Sequence, residues 1–122
     1  MSEDPVDGIR GCDTGLSDEQ LEDITSRSIR TEAEIFSAVS NETRYRILLL
    51  ANAADGDVCG CELEPHLNVK QSSISQSLSR LRKAGLLSRR KDGRWRYYDT
   101  TELAEDLIEV MAVRDQRSKI AP

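Results

Sequence analysis

Cys59-Gly60-Cys61 places two thiols two residues apart, directly after the turn-forming run Asp55-Gly56-Asp57. Thiolates are soft ligands, and two on one short segment can hold one thiophilic ion between them. In a regular helix, residues two apart diverge by about 200° at 3.6 residues per turn. The pair therefore converges only where a helix start is distorted, and the intervening glycine makes that distortion cheaper. A helix N-terminus also depresses a thiol's pKa and favours the thiolate. The remaining cysteine, Cys12, sits in Gly11-Cys12-Asp13. Folded back from the same copy or a second one, it would complete a set of three thiolates, which suits a trivalent metalloid such as arsenite or antimonite. Ordinary tetrahedral zinc wants a fourth ligand. The single histidine, His66, lies five residues beyond Cys61 and reads as a surface residue. Two other readings of the same cysteines stay open. Cys59 and Cys61 could be small buried apolar residues with Cys12 incidental, or Cys12 could bridge to either under oxidation as a redox switch.

A second chemistry lies just downstream. The stretch Gln71 to Ala84 has Ile74, Leu78 and Leu81 at spacings of four and three, the stripe of an amphipathic helix. Its other face carries Gln71, Ser72, Ser73, Ser75, Gln76, Ser79, Arg80, Arg82 and Lys83. Serine and glutamine are mediocre helix formers, so propensity does not explain them. They do suit a helix lying in the major groove of double-stranded DNA: Gln pairs with adenine, Ser with base edges or phosphates, Arg with guanine. Beyond Gly85, a C′ stop, Asp92-Gly93 signals a hairpin turn. That hairpin brings Arg89, Arg90, Lys91, Arg94 and Arg96, placed to grip the adjacent DNA backbone or minor groove.

Net charge is −5, which at first sight argues against a nucleic-acid partner. The charge is unevenly spread: residues 1–70 carry a net −9, residues 71–100 a net +6, and residues 101–122 a net −2. A local basic block, and not the whole-chain balance, is the footprint of DNA binding. Arginine outnumbers lysine 13 to 4, and with acids dominating elsewhere the pattern suits a salt-rich cytoplasm.

The elements that must position these groups follow from periodicity. Residues 1–15, with three glycines, Pro5 and no apolar period, read as a flexible arm, and residues 16–119 as one domain. Ser17 with Gln20 is a helix start. The apolar series Leu21, Ile24, Ile29, Ala33, Phe36 and Val39 is irregular near Ser26 to Arg30 and fits one helix or two. Asn41 caps a helix whose Ile47 to Ala51 run makes it central and buried. A short helix is expected from about Cys59 to Leu67, and a final one from Thr100 or Thr101 with Leu103, Leu107, Ile108, Met111 and Ala112 as its stripe. At 122 residues, with 38% hydrophobic and 4% aromatic content, the core is thin and aliphatic and would gain from a partner subunit. No run approaches the roughly 20 apolar residues of a membrane span. The acidic start resembles no signal peptide, so a cytoplasmic protein with free or metal-bound thiols is expected.

The run Ala38-Val39-Ser40-Asn41-Glu42-Thr43-Arg44-Tyr45-Arg46-Ile47-Leu48 resembles the ArsR/SmtB family of winged-helix repressors. So do Ser75-Gln76-Ser77-Leu78-Ser79-Arg80-Leu81, Ala84-Gly85-Leu86-Leu87 and the basic hairpin to Tyr98. The resemblance spans about Glu34 to Tyr98. It implies a mainly α winged helix-turn-helix of about five helices with a two-stranded wing. It implies a homodimer, formed through the first and last helices, that represses from a palindromic operator with half-sites about one DNA turn or a multiple apart. Val58-Cys59-Gly60-Cys61-Glu62-Leu63 resembles the cysteine box of the family's arsenic- and cadmium-type sensors, so cadmium or lead joins arsenite and antimonite as an effector. Zinc-sensing members carry histidines on the last helix, and Thr101 to Lys119 has none. An enzyme such as an arsenate reductase fits poorly, because no phosphate-cradling loop or acid-base partner surrounds the cysteines. A protein-interaction winged helix fits poorly too, given the arginine-rich wing. A redox-sensing or cysteine-independent regulator remains the alternative.

Overall fold

Ser17 and Gln20 cap each other at the first helix. Ser17 Oγ accepts from the Gln20 amide at 3.1 Å, and Gln20 Oε1 accepts from the Ser17 amide at 2.8 Å. The computed structural model describes residues 15–120, with side chains to residue 116. Cys12 and nearly all of the expected arm lie outside those residues. Helix α1 spans Asp18–Thr25 and α2 spans Ile29–Val39, so the irregular apolar series is two helices. The break has a local cause: Thr25 Oγ1 donates to Glu22 O at 3.0 Å and Ser26 Oγ to Asp23 O at 3.0 Å. Such side chains compete with the backbone ladder. Among the described residues, those up to Arg30 and those from Thr31 onward form two compact units. In the first, Leu21 and Ile24 are each nearly half exposed.

The second unit continues with α3 (Glu42–Ala53), β1 (Val58–Cys59), α4 (Gly60–Leu63), a 3-10 turn (Glu64–His66), α5 (Gln71–Lys83), β2 (Leu87–Asp92), β3 (Trp95–Thr100) and α6 (Glu102–Ile120). Asn41 caps α3 through an Oδ1 that accepts from the Arg44 amide at 2.9 Å. Ile47, Leu48, Ile74, Leu81 and Leu86 are the largest fully buried side chains, and Tyr98 is the one aromatic in the buried cluster. The core is aliphatic, as composition implies. Leu49, expected within it, keeps 39% of its surface exposed.

Three expectations need correction. The short helix from Cys59 to Leu67 is broken into β1, α4 and a 3-10 turn. Pro65 has no N–H to bond back along an α ladder, and the turn closes instead with the Leu67 amide on Glu64 O at 3.1 Å. The wing has a third strand: β1 pairs antiparallel with β3, Val58 opposite Tyr98 and Cys59 opposite Tyr97, giving the order β1-β3-β2. The turn residues are Gly93 and Arg94, because Asp92 already pairs with Trp95. Gly93 takes the positive φ of +64° that the tight turn requires. Six α-helices are present among the described residues, in keeping with about five and the first apolar series divided in two.

The end of α5 is a Schellman motif. The Gly85 amide donates to Arg82 O and the Leu86 amide to Leu81 O, both at 3.0 Å, with Leu81 and Leu86 fully buried beside the turn. Gly85 sits at φ +83° with nothing within 4 Å of where a Cβ would be. Gly85→Ala therefore costs backbone strain alone, about 1–2 kcal/mol, read as a lowered urea midpoint with an unchanged m-value. The start of α6 is tied to the same turn: the Thr101 amide donates to Leu86 O at 3.2 Å and Thr101 Oγ1 to Gly85 O at 2.8 Å. Among the described residues no helix is long and apolar enough to cross a membrane.

Candidate nucleic-acid interface and thiol site

Ile74, Leu78 and Leu81 fix the rotation of α5 by their burial. At 3.6 residues per turn the opposite ridge is Ser72, Gln76 and Lys83, and all three are exposed. On one flank, Gln71, Ser75 and Ser79 share a cleft of about 340 Å³ with the wing's Arg89, Arg94 and Arg96. On the other, Ser73, Ser77 and Arg80 share a cleft of about 420 Å³ with Asn41, Thr43 and Arg44 of the α3 start. Most of the residues expected to read DNA thus gather around one helix and one hairpin.

The arginines differ in freedom. Arg90 donates from Nε to Asp57 Oδ2 at 3.0 Å and lies over the Tyr97 ring at 4.7 Å. The hydrogen bond to Asp57, and then its charge, raise the Arg90 pKa above the ordinary arginine value. Arg90 thereby joins the wing to the turn before β1. Arg94 lies over the Trp95 ring at 5.4 Å, while Arg89, Lys91 and Arg96 are exposed. Arg80 donates to Ser37 Oγ at 2.8 Å. Arg44 donates from Nε to Ala38 O at 2.7 Å and from Nη2 to Ser37 O at 3.2 Å. Burial, and then the charge of Arg80, lower the Arg44 pKa.

The thiol segment lines the wing-side cleft. Cys59 is the N-cap of α4 in extended backbone, φ −100° and ψ 159°, and its amide donates to Glu62 Oε1 at 2.8 Å. This is the distortion that the spacing of the pair demands. It brings the Cα atoms of Cys59 and Cys61 to 5.4 Å, and the two sulfurs are joined in a disulfide. The sequence-based expectation was free or metal-bound thiols. Cys59 is buried and Cys61 exposed. Among the described residues no three His, Cys, Asp or Glu side chains gather as a metal site. Cys12 is outside that set, and His66 is exposed in the 3-10 turn.

Gly60 joins the two sites. A Cβ there would meet Gln71 Nε2 at 3.0 Å, Leu78 Cδ1 at 3.5 Å and Ile74 Cγ2 at 3.7 Å. The closest atom is the end of a flexible side chain, so Gly60→Ala should alter stability by less than about 1 kcal/mol. It should still displace Gln71 at the first turn of α5 and weaken sequence-specific binding several-fold, with non-specific binding kept. Competition assays with specific and random duplexes check this.

Sequence reasoning named Ser73, Gln76 and Arg80 but missed Asn41, Thr43, Arg44 and Ser77 in the second cleft. No local signal marks them, because α3 and α5 meet only through the fold.

A sequence profile described as "Bacterial regulatory protein, arsR family" matches residues 41–89. ArsR2 of Halobacterium salinarum, named for an arsenical resistance operon repressor, is 49% identical over 89 residues, 72% of this chain and 74% of that protein. The arsenical resistance operon repressor of Escherichia coli is 40% identical over 65 residues, 53% of this chain and 55% of that one. Among solved structures, HlyU from Vibrio cholerae superposes with a TM-score of 0.61 at 28% identity, covering 70% of this chain and 92% of that one. The homodimeric winged helix-turn-helix DNA-binding domain Mb0332 from Mycobacterium bovis gives 0.67 at 23% identity, covering 89% and 96%, and supports the fold alone. With α5, the wing and these relatives, the chain belongs to the ArsR family and is a transcriptional repressor of that type, not an enzyme.

Proposed function

We propose that two copies of this chain bind an operator through α5 and the wing, and that arsenite or antimonite bound by reduced Cys59 and Cys61 releases them. The observation that carries the reading is the convergence of both sulfurs in a cleft shared with the reading helix and the wing. Reduction of the disulfide takes up two electrons and two protons from the cell's thiol pool. Arsenous acid then exchanges two hydroxyls for two As–S bonds, releasing two waters. Its third position keeps a hydroxyl or takes a third thiol from Cys12. Cadmium or lead is the alternative soft ion.

Coupling to DNA follows from what holds the segment. Cys59 is paired in the sheet opposite Tyr97, and Gly60 lies against α5. A ligand that reshapes residues 59–61 shifts wing and reader together. The typical coupling between linked sites, about 1–3 kcal/mol, lowers operator affinity roughly 5- to 150-fold.

Dimerisation is supported by exposed apolar side chains: Leu21 and Ile24 on α1, and Leu103, Val110, Met111 and Val113 on α6, are 42–60% exposed in the single chain. Contiguous exposed apolar surface commonly marks an interface, and Val110 and Val113 border one groove on α6. Sedimentation should give twice the chain mass of 13.7 kDa.

A mobility-shift titration of the reduced protein on its own promoter, with arsenite, antimonite, cadmium and zinc, tests the sensor. Release by the trivalent ions at lower concentration than by zinc is expected. Release by none of the four refutes it.

The disulfide favours a second reading, in which oxidation of the same pair by a peroxide, which accepts the two electrons, is itself the signal. Equal operator affinity of dithiol and disulfide forms would dispose of it.

A further inference from the structure

We propose that the cleft between α3 and α5 binds a DNA backbone phosphate on the flank of the reading helix away from the wing. The proposal rests on the DNA-binding reading above. A helix with its side chains is about 10–12 Å across and the major groove about 12 Å wide. A helix lying in that groove has a row of phosphates along each flank. The wing arginines serve one row. The second cleft faces the other.

Its chemistry suits a phosphodiester. Two guanidiniums, Arg44 and Arg80, enter it beside the hydroxyls of Thr43, Ser73 and Ser77, and no carboxylate lines it. Both cations are already oriented, Arg44 by the carbonyls of Ala38 and Ser37, Arg80 by the hydroxyl of Ser37. Arg44 uses two of its five N–H donors in these bonds and Arg80 one, which leaves donors for phosphate oxygens. Among the described residues neither is in a salt bridge with a carboxylate, in contrast with Arg90 and Arg46. The lowered pKa of Arg44 reflects, after burial, the repulsion between the two cations, and an anion between them would relieve it.

Thr43→Glu tests the site without risking the fold. Thr43 is in the first turn of α3, where an acidic side chain is favoured by the helix dipole. The substitution places a carboxylate where the phosphate would sit. Affinity for operator and for random duplex should both fall at least tenfold. The slope of log K against log salt should become shallower by about one, with the thermal midpoint held or raised. Ser77→Glu, on the α5 side, should do the same. An uncharged methylphosphonate at the backbone away from the wing should weaken the unaltered protein and leave Thr43→Glu unaffected, which separates contact from general charge repulsion. The proposal is overturned if Thr43→Glu and Ser77→Glu keep full affinity and slope while Arg94→Ala lowers both. It is also overturned if inorganic phosphate stabilises the unaltered protein, Thr43→Glu abolishes that effect, and DNA affinity does not change. If the unaltered protein binds no DNA, the underlying reading falls first, and the two failures are distinct.

Discussion

Replacing Cys59 and Cys61 together by serine should leave the protein on its operator at arsenite concentrations that release the unaltered form. Serine keeps the size of the side chain and the local backbone, but its hydroxyl is a hard, protonated group with little affinity for a soft metalloid. Operator affinity without arsenite should stay within about twofold, because serine is close in volume to the buried Cys59 and Cys61 is exposed. The 5- to 150-fold weakening expected from about 1–3 kcal/mol of coupling should vanish. Cys61→Ser alone should weaken the response, since Cys59 is left with at most Cys12 to share the ion. A fluorescence-anisotropy titration of a labelled operator, with and without arsenite, reads both quantities. Undiminished release from the double variant would remove the sensor assignment and leave the repressor intact.

The second large effect is on the fold. Leu81→Ala removes a fully buried side chain from the last turn of α5, where Leu81 also accepts the closing hydrogen bond from Leu86. Large-to-small changes at such sites cost about 2–5 kcal/mol. A loss of about 3 kcal/mol in a unit of this size lowers the thermal midpoint by roughly 12–24 °C. Calorimetry at fixed protein concentration should find a drop of that order. A shift of only one or two degrees would mean that the end of α5 is less tightly packed than its burial indicates.

Helix α5 was legible because its signals are local. Ile74, Leu78 and Leu81 repeat at helical spacing, and Gly85 closes the helix with a positive φ. Strand β1 was not. Val58 and Cys59 are too few to show a period, and their partners Tyr98 and Tyr97 lie about forty residues away. Pro65 was visible, yet its effect depends on a helix that the sheet had already shortened. Arg90 and Arg80 read from sequence as free basic groups. Asp57 and Ser37, which engage them, are distant in sequence. The basic content of the interface was thus readable, while the division of labour among its arginines needed tertiary contacts. In the second cleft Ser73, Gln76 and Arg80 carried a sequence signature, while Asn41, Thr43, Arg44 and Ser77 carried none.

The bonds from Thr101 to Gly85 and Leu86 make the base of α6 a pivot fixed to the tail of α5. Over 19 residues, α6 is a rod about 28 Å long at 1.5 Å per residue. One degree of tilt at its base carries the tip through about 0.5 Å. If the rods of two copies lie side by side, an angular error too small to disturb either subunit would still change the reach between their reading helices. Spacing tolerance on the duplex would then be set at Gly85 and Thr101, far from any base.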